Sequence, residues 1–248
     1  MRRRRRSNDS SARVGALFAL LALLFLAPRL LHLEADPPRV PNGQSGRELL
    51  VEAPAKAYEA RKLALFGTLS TSEADEYRFW SVQSPAYVFP LGAFMSLAGV
   101  GYAELRIYGV LVGLLGHLLL LGMLYRRIGP LSLIVVGAFT GLHFYYLHYL
   151  RAGLLEPSLN TWIIVAVACA LAAERDARWL FGVPIAWTLA FLTKQSAIAF
   201  LPLLVFALGV CVYEARRELS RNRLLGLATV VGLCALGLII LVRTDAYQ

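Results

Sequence analysis

Apolar stretches that approach the length of a bilayer crossing recur along this chain, and short arginine-rich clusters separate them. A helix needs about 20 residues to traverse ~30 Å of hydrocarbon. Inside that layer every backbone N–H and C=O must find a partner within the protein, which favours helices for separate apolar runs. The predicted fold class is therefore all-α: a polytopic transmembrane helix bundle of about seven spans, with a long extracytoplasmic first loop containing short interfacial helices. Composition agrees. A chain that is 58% hydrophobic and 17% charged, with mean hydropathy +0.59, is too apolar for a soluble domain.

Charge assigns the sides of the membrane. Arg2 to Arg6 precede the first apolar run, and basic residues collect on the cytoplasmic side of spans. Residues 1–13 then form a basic cytoplasmic N-terminus and 14–33 the first span. That span reads as a retained signal anchor, since Pro28-Arg29 interrupts it and no small-residue cleavage site follows. Residues 34–104 form the extracytoplasmic loop, 105–243 a six-span bundle and 244–248 a tail. The six spans run over about 105–125, 131–147, 157–173, 179–192, 198–213 and 224–242, which puts every later basic cluster inside. Within the loop, Ala57, Ala60, Leu63 and Ala64 return at helical spacing, with Gly67 as the C-cap of a helix lying at the membrane surface. Residues 87–97 read as a second, interfacial or re-entrant helix.

The same distribution argues against a nucleic-acid partner. The net charge of +9 sits at the N-terminus and in inter-span loops, as membrane topology requires, not along one basic face. Cys169, Cys211 and Cys234 lie in apolar spans without CxxC spacing, so they read as small packing residues. His143 and His148 are off the i, i+4 register of a helical metal pair and read as interfacial.

Under this topology Glu52, Arg151, Glu156 and Lys194 all surface on the extracytoplasmic side. Glu52 precedes the loop helix and either caps it or serves as a general base toward an acceptor hydroxyl or amine. Arg151 and Glu156 flank a short inter-span turn. Arg151 either snorkels to headgroups or binds a phosphate; Glu156 either satisfies free helix N–H groups or binds an acceptor, a basic group or a metal. Lys194 lies between two apolar runs with no acidic neighbour in sequence, suited to a headgroup or a lipid-linked phosphate. Asp75 and Glu76 sit in the loop, as solvated turn residues or acceptor contacts. No Gly-rich phosphate loop occurs, so a transferase with these residues would not draw on a soluble nucleotide sugar.

Residues 57–67 (Ala-Tyr-Glu-Ala-Arg-Lys-Leu-Ala-Leu-Phe-Gly), Gln83-Ser84-Pro85, the stretch Arg151 to Pro157 and Leu192-Thr193-Lys194 together resemble the GT-C membrane glycosyltransferases. The branch they resemble holds the bacterial relatives of protein O-mannosyltransferases and of the lipid A aminoarabinose transferase. The likeness covers about residues 14–205. It implies a polyprenyl-phosphate-linked sugar as donor, an extracytoplasmic lipid, glycan or protein as acceptor, inversion at the anomeric carbon, and residence in the bacterial inner membrane among its lipids. By resemblance Glu52 is the catalytic base, Arg151 and Lys194 contact the lipid phosphate, and Glu156 contacts the acceptor. No cofactor is demanded, and a divalent metal is left open. Two departures stand out. Family members carry an acidic pair, usually Asp-Glu, nine residues before an arginine that matches Arg61; here the pair is Glu52-Ala53. Glu sets the carboxylate about 1.5 Å further from its backbone than Asp would. Members also have more spans, so the tail fits a truncated chain.

Two other classes follow from the residues. A non-catalytic family member, acting as a lipid-binding or assembly subunit, would fit the altered acidic pair. A transporter would show polar residues near mid-span and inverted repeats, neither of which is evident from the sequence.

Overall fold

A computed structural model of the chain describes residues 2–31, 33, 57–69, 84–125, 127–215 and 221–246. Among the described residues the ordered elements are all helical, with no strand. In chain order they are α1 (Arg2–Leu30), α2 (57–66), α3 (Pro85–Ala98), α4 (Tyr102–Tyr125), α5 (Pro130–Leu142), α6 (Phe144–Arg151), α7 (Glu156–Ala173), α8 (Gly182–Thr193), α9 (Leu201–Ala215) and α10 (Arg221–Ala246). Short 3-10 helices, Ala177–Phe181 and Gln195–Phe200, lead into α8 and α9.

Among the described residues three helical stretches are long and apolar enough to cross a membrane: Ala12–Leu30, Tyr102–Tyr125 and Glu156–Ala173. Other apolar stretches, including Pro130–Leu142, Ala177–Thr193 and Gln195–Val210, are shorter. The expected span 131–147 divides because His143 (φ −59, ψ 122) leaves helical geometry between α5 and α6. The outer surface bears many exposed large apolar side chains, among them Leu111, Leu115, Val135, Phe139, Leu203 and Phe206. In water that surface would be an aggregation hazard; against lipid tails it needs no cover.

Helices α4 and α7 run parallel at close range, with Gly109 beside Pro157, Gly116 beside Thr161 and Arg127 beside Glu174. A Cβ on Gly116 would meet Thr161 Oγ1 of α7 at 2.6 Å, and one on Gly109 would meet the Leu150 carbonyl oxygen of the neighbouring α6 at 2.8 Å. Small residues let helices approach where no hydrophobic force pulls them together. Thr161 adds a hydrogen bond across the seam, donating to Val112 O at 2.9 Å. At one end of the seam Arg127 meets Glu174 at 2.8 Å; Phe18 of α1 stacks edge-on against Tyr125 at 5.9 Å, so the basic start of α1 lies at that end too. The 18 residues of α7 carry its two termini ~27 Å apart.

The two loop helices do not lie apart on a surface. Ala57 and Ala60 of α2 pack with Tyr87, Val88, Leu91 and Met95 of α3 against Leu105, Tyr108, Leu154 and Leu155. Gly67 (φ +69) ends α2 as its C-cap, its N–H bonded to Leu63 O at 3.0 Å.

Arg29 is fully buried in the bundle. It lies ~16 Å along α1 from the Phe18–Tyr125 contact, close to half the length of α4. A cation there costs roughly 3 kcal/mol on insertion scales. The guanidinium recovers part of that by donating to Phe25 O at 2.6 Å and Gly141 O at 2.5 Å, and by lying 3.7 Å from the Phe25 ring centroid. These contacts fasten α1 to α5.

The seam generates a paired prediction. Gly116→Leu should destabilise the protein by about 1–3 kcal/mol through overpacking against Thr161, read from unfolding in detergent. Gly122→Leu, on the same helix but with nothing within 4 Å of its Cβ, should stay near wild type. Equal effects would mean that α4 and α7 are not in close contact.

Candidate functional site

Arg151, Glu156 and Lys194 gather at the end of the α4–α7 seam opposite the Arg127–Glu174 pair. Glu52, Asp75 and Glu76 lie outside the described residues. Arg151 closes α6 and Glu156 opens α7, with residues 152–155 as the turn between them. Gly153 takes φ +73 there, and a Cβ would strike Leu105 Cγ at 2.7 Å, so the turn needs glycine on both counts. From α3, the buried Tyr87 hydroxyl donates to Gly153 O at 2.9 Å and pins the turn. Burial, then Tyr108, then Glu156 raise the Tyr87 phenol far above its ordinary range, so it stays a neutral donor.

Lys194 is the residue at which α8 ends, in extended backbone (φ −154, ψ 128) before the next 3-10 helix. Its Nζ donates to Glu156 Oε1 at 2.5 Å, across 38 residues of sequence. The sequence offered Glu156 the N–H groups of its own helix and offered Lys194 no acidic neighbour; the structure pairs the two. The other oxygen, Glu156 Oε2, is buried and has no partner among the described residues. Such a lone acceptor, on a carboxylate anchored through its other oxygen, is placed to receive a hydrogen bond from a hydroxyl or amine.

Arg151 donates from Nη2 to Leu31 O at 2.6 Å, and Arg106 donates to Leu33 O. Both carbonyls lie just beyond α1, so the chain leaves α1 beside the Arg151–Glu156 turn. A hollow of about 260 Å³ flanks this end, lined by Ala57, Tyr58, Arg61, Tyr102 and Leu105. Leu105 is also the residue packed against Gly153. Among the described residues no group of three or more His, Cys, Asp or Glu could hold a metal ion.

Tyr87 and the buried polar residues near mid-height escaped the sequence reading. Arg29 registered there as an interruption of the first span and His117 not at all, yet both are within 1% of full burial. His117 packs on Phe25 with ring centroids 4.7 Å apart, and its Nδ1 lies 3.2 Å from Thr140 Oγ1. Polar residues near mid-span are therefore present, against the expectation. The available signal was a lone charge or imidazole inside an apolar run, which in a membrane helix marks a site until shown otherwise.

A double-mutant cycle tests the central pair. Glu156→Gln and Lys194→Met should couple by on the order of 1 kcal/mol in unfolding experiments, as contacting residues do. Strict additivity would show that the two side chains do not meet. No protein-family model, curated protein or solved structure matches this chain.

Proposed function

We propose that the chain is a membrane glycosyltransferase that moves a sugar from a polyprenyl-phosphate donor to an extracytoplasmic acceptor. The observation that carries this reading is the gathering of Arg151, Glu156 and Lys194 at one end of the bundle, with Glu156 Oε2 still unbonded among the described residues. In the reaction Glu52 takes the proton from the acceptor hydroxyl or amine as that atom attacks the anomeric carbon. The bond from that carbon to the lipid phosphate breaks, and Arg151 and Lys194 stabilise the departing phosphate. Glu156 orients the acceptor through Oε2. Electrostatic stabilisation of the leaving anion is the largest contribution in a water-poor site.

The topology belongs to the same proposal: about seven crossings, N-terminus in the cytoplasm, reaction site outside. Its support is the separation of charge along α7. Arg127, Arg175 and Arg178 cluster at one terminus, with the basic start of α1, while the Glu156–Lys194 pair occupies the other.

Arg151→Ala and Lys194→Ala should each lower transfer from a polyprenyl-phosphate sugar by roughly 10²-fold or more, with folding retained. Unchanged transfer in either variant removes the mechanism. A second reading, a non-catalytic lipid-binding or assembly subunit, draws on the intramolecular bonds that Arg151 and Lys194 already make. Wild type and the variant carrying Glu52→Asp with Ala53→Glu separate the two readings: an enzyme transfers in at least one of them, and a subunit without catalysis stays silent in both.

A further inference from the structure

A second hollow, of about 320 Å³, opens between α4, α5, α6, α7 and the 3-10 helix Gln195–Phe200. Its volume falls at the lower end of small-ligand sites. Leu120, Phe139, Ile163 and Phe200 contribute apolar wall, and His117, Thr140, His143, Tyr146 and Asn160 contribute polar groups. Phe139 and Phe200 are themselves exposed, so the hollow faces the lipid side of the bundle.

The hydrogen bonds around His117 define what it can accept. Thr140 Oγ1 lies 2.8 Å from Val136 O, one turn back on α5, and this is its shortest acceptor. A hydroxyl has one proton to give, and here the carbonyl takes it. Toward His117 Nδ1, at 3.2 Å, the same oxygen is therefore an acceptor, and the imidazole proton resides on Nδ1. Nε2 is left with a lone pair, buried and without a partner among the described residues. Leaving such an acceptor unmet costs about 1–3 kcal/mol. On α7, the Asn160 amide makes no hydrogen bond among the described residues and can donate into the same hollow.

Charge of either sign is disfavoured here. The lone pair of Nε2 repels an anion. Arg29, which could attract one, keeps Nε and Nη2 without a partner among the described residues but does not line the hollow. A cation would meet the field of that guanidinium, stacked on the same Phe25 ring that His117 packs against. A hydroxyl satisfies His117 and Asn160 at once, donating to Nε2 and accepting from the Asn160 amide.

We propose that this hollow binds an uncharged amphiphile, an apolar body carrying a hydroxyl, with the hydroxyl held between His117 Nε2 and Asn160. The ligand enters sideways from the bilayer. The site is independent of sugar transfer and stands whether or not the chain is an enzyme.

The test uses the full-length protein in lipid nanodiscs and a photoactivatable long-chain alcohol, with the matching alkane and fatty acid as comparisons. The alcohol should label segments 139–146 and 160–164 saturably, and roughly tenfold better than the alkane, as one buried neutral hydrogen bond allows. His117→Phe, which keeps an aromatic ring on Phe25, should abolish that preference. Asn160→Leu should do the same, and it carries the test if the first variant does not fold. Equal labelling by alcohol and alkane, stronger labelling by the fatty acid, or displacement of the alcohol by polyprenyl phosphate would each overturn the proposal. So would labelling that never saturates.

Discussion

Lipid tails are as apolar as leucine, so helices long and apolar enough to cross a bilayer are not driven together there by exclusion of water; they must fit. Between α4 and α7 the fit is close because Gly116 of one helix leaves room for Thr161 of the other. That single approach sets the height of everything attached to either helix. It brings Arg127 beside Glu174 at one terminus of α7. It also sets the Arg151–Glu156 turn beside Leu105 and Tyr87 at the other. A site built on two helix ends inherits its precision from the seam between them.

Charge within an apolar surround is handled in two ways. Arg29 has no carboxylate among the described residues and relies on backbone carbonyls and an aromatic face. Its contribution is structural, joining α1 to α5 at the cost of burying an ion. Glu156 and Lys194 neutralise one another but keep about a third of their side-chain surface accessible. A pair in that position remains available to a ligand, whereas a fully enclosed one would not. The difference in access, more than the difference in residue type, separates the two clusters in function.

Periodicity and turn chemistry made much of this legible in the sequence. The first span, α4 and α7 follow from apolar length; the end of α2 follows from Gly67, and the short helix α3 from a brief apolar run after Ser84-Pro85. What failed was what depends on neighbours. Helical spacing marked the alanines of α2 as one face, but not what that face packs on: Ala57 and Ala60 meet α3 and α4. The break at His143 has no proline to announce it, and Gly141, two residues before, lies inside α5. Lys194 seemed isolated because the nearest carboxylate in space is 38 residues away along the chain. Sequence order alone could place both residues at one end of the bundle; only packing of α7 on α8 could bring them into contact.

That contact has a consequence for how the protein is made. Glu156 emerges from the ribosome 38 residues ahead of Lys194, so the carboxylate reaches the bilayer before its ammonium partner exists. Neutralisation waits until α8 has been synthesised and has folded back along α7. The ion pair is thus a late contact, one that ties the start of α7 to the end of α8.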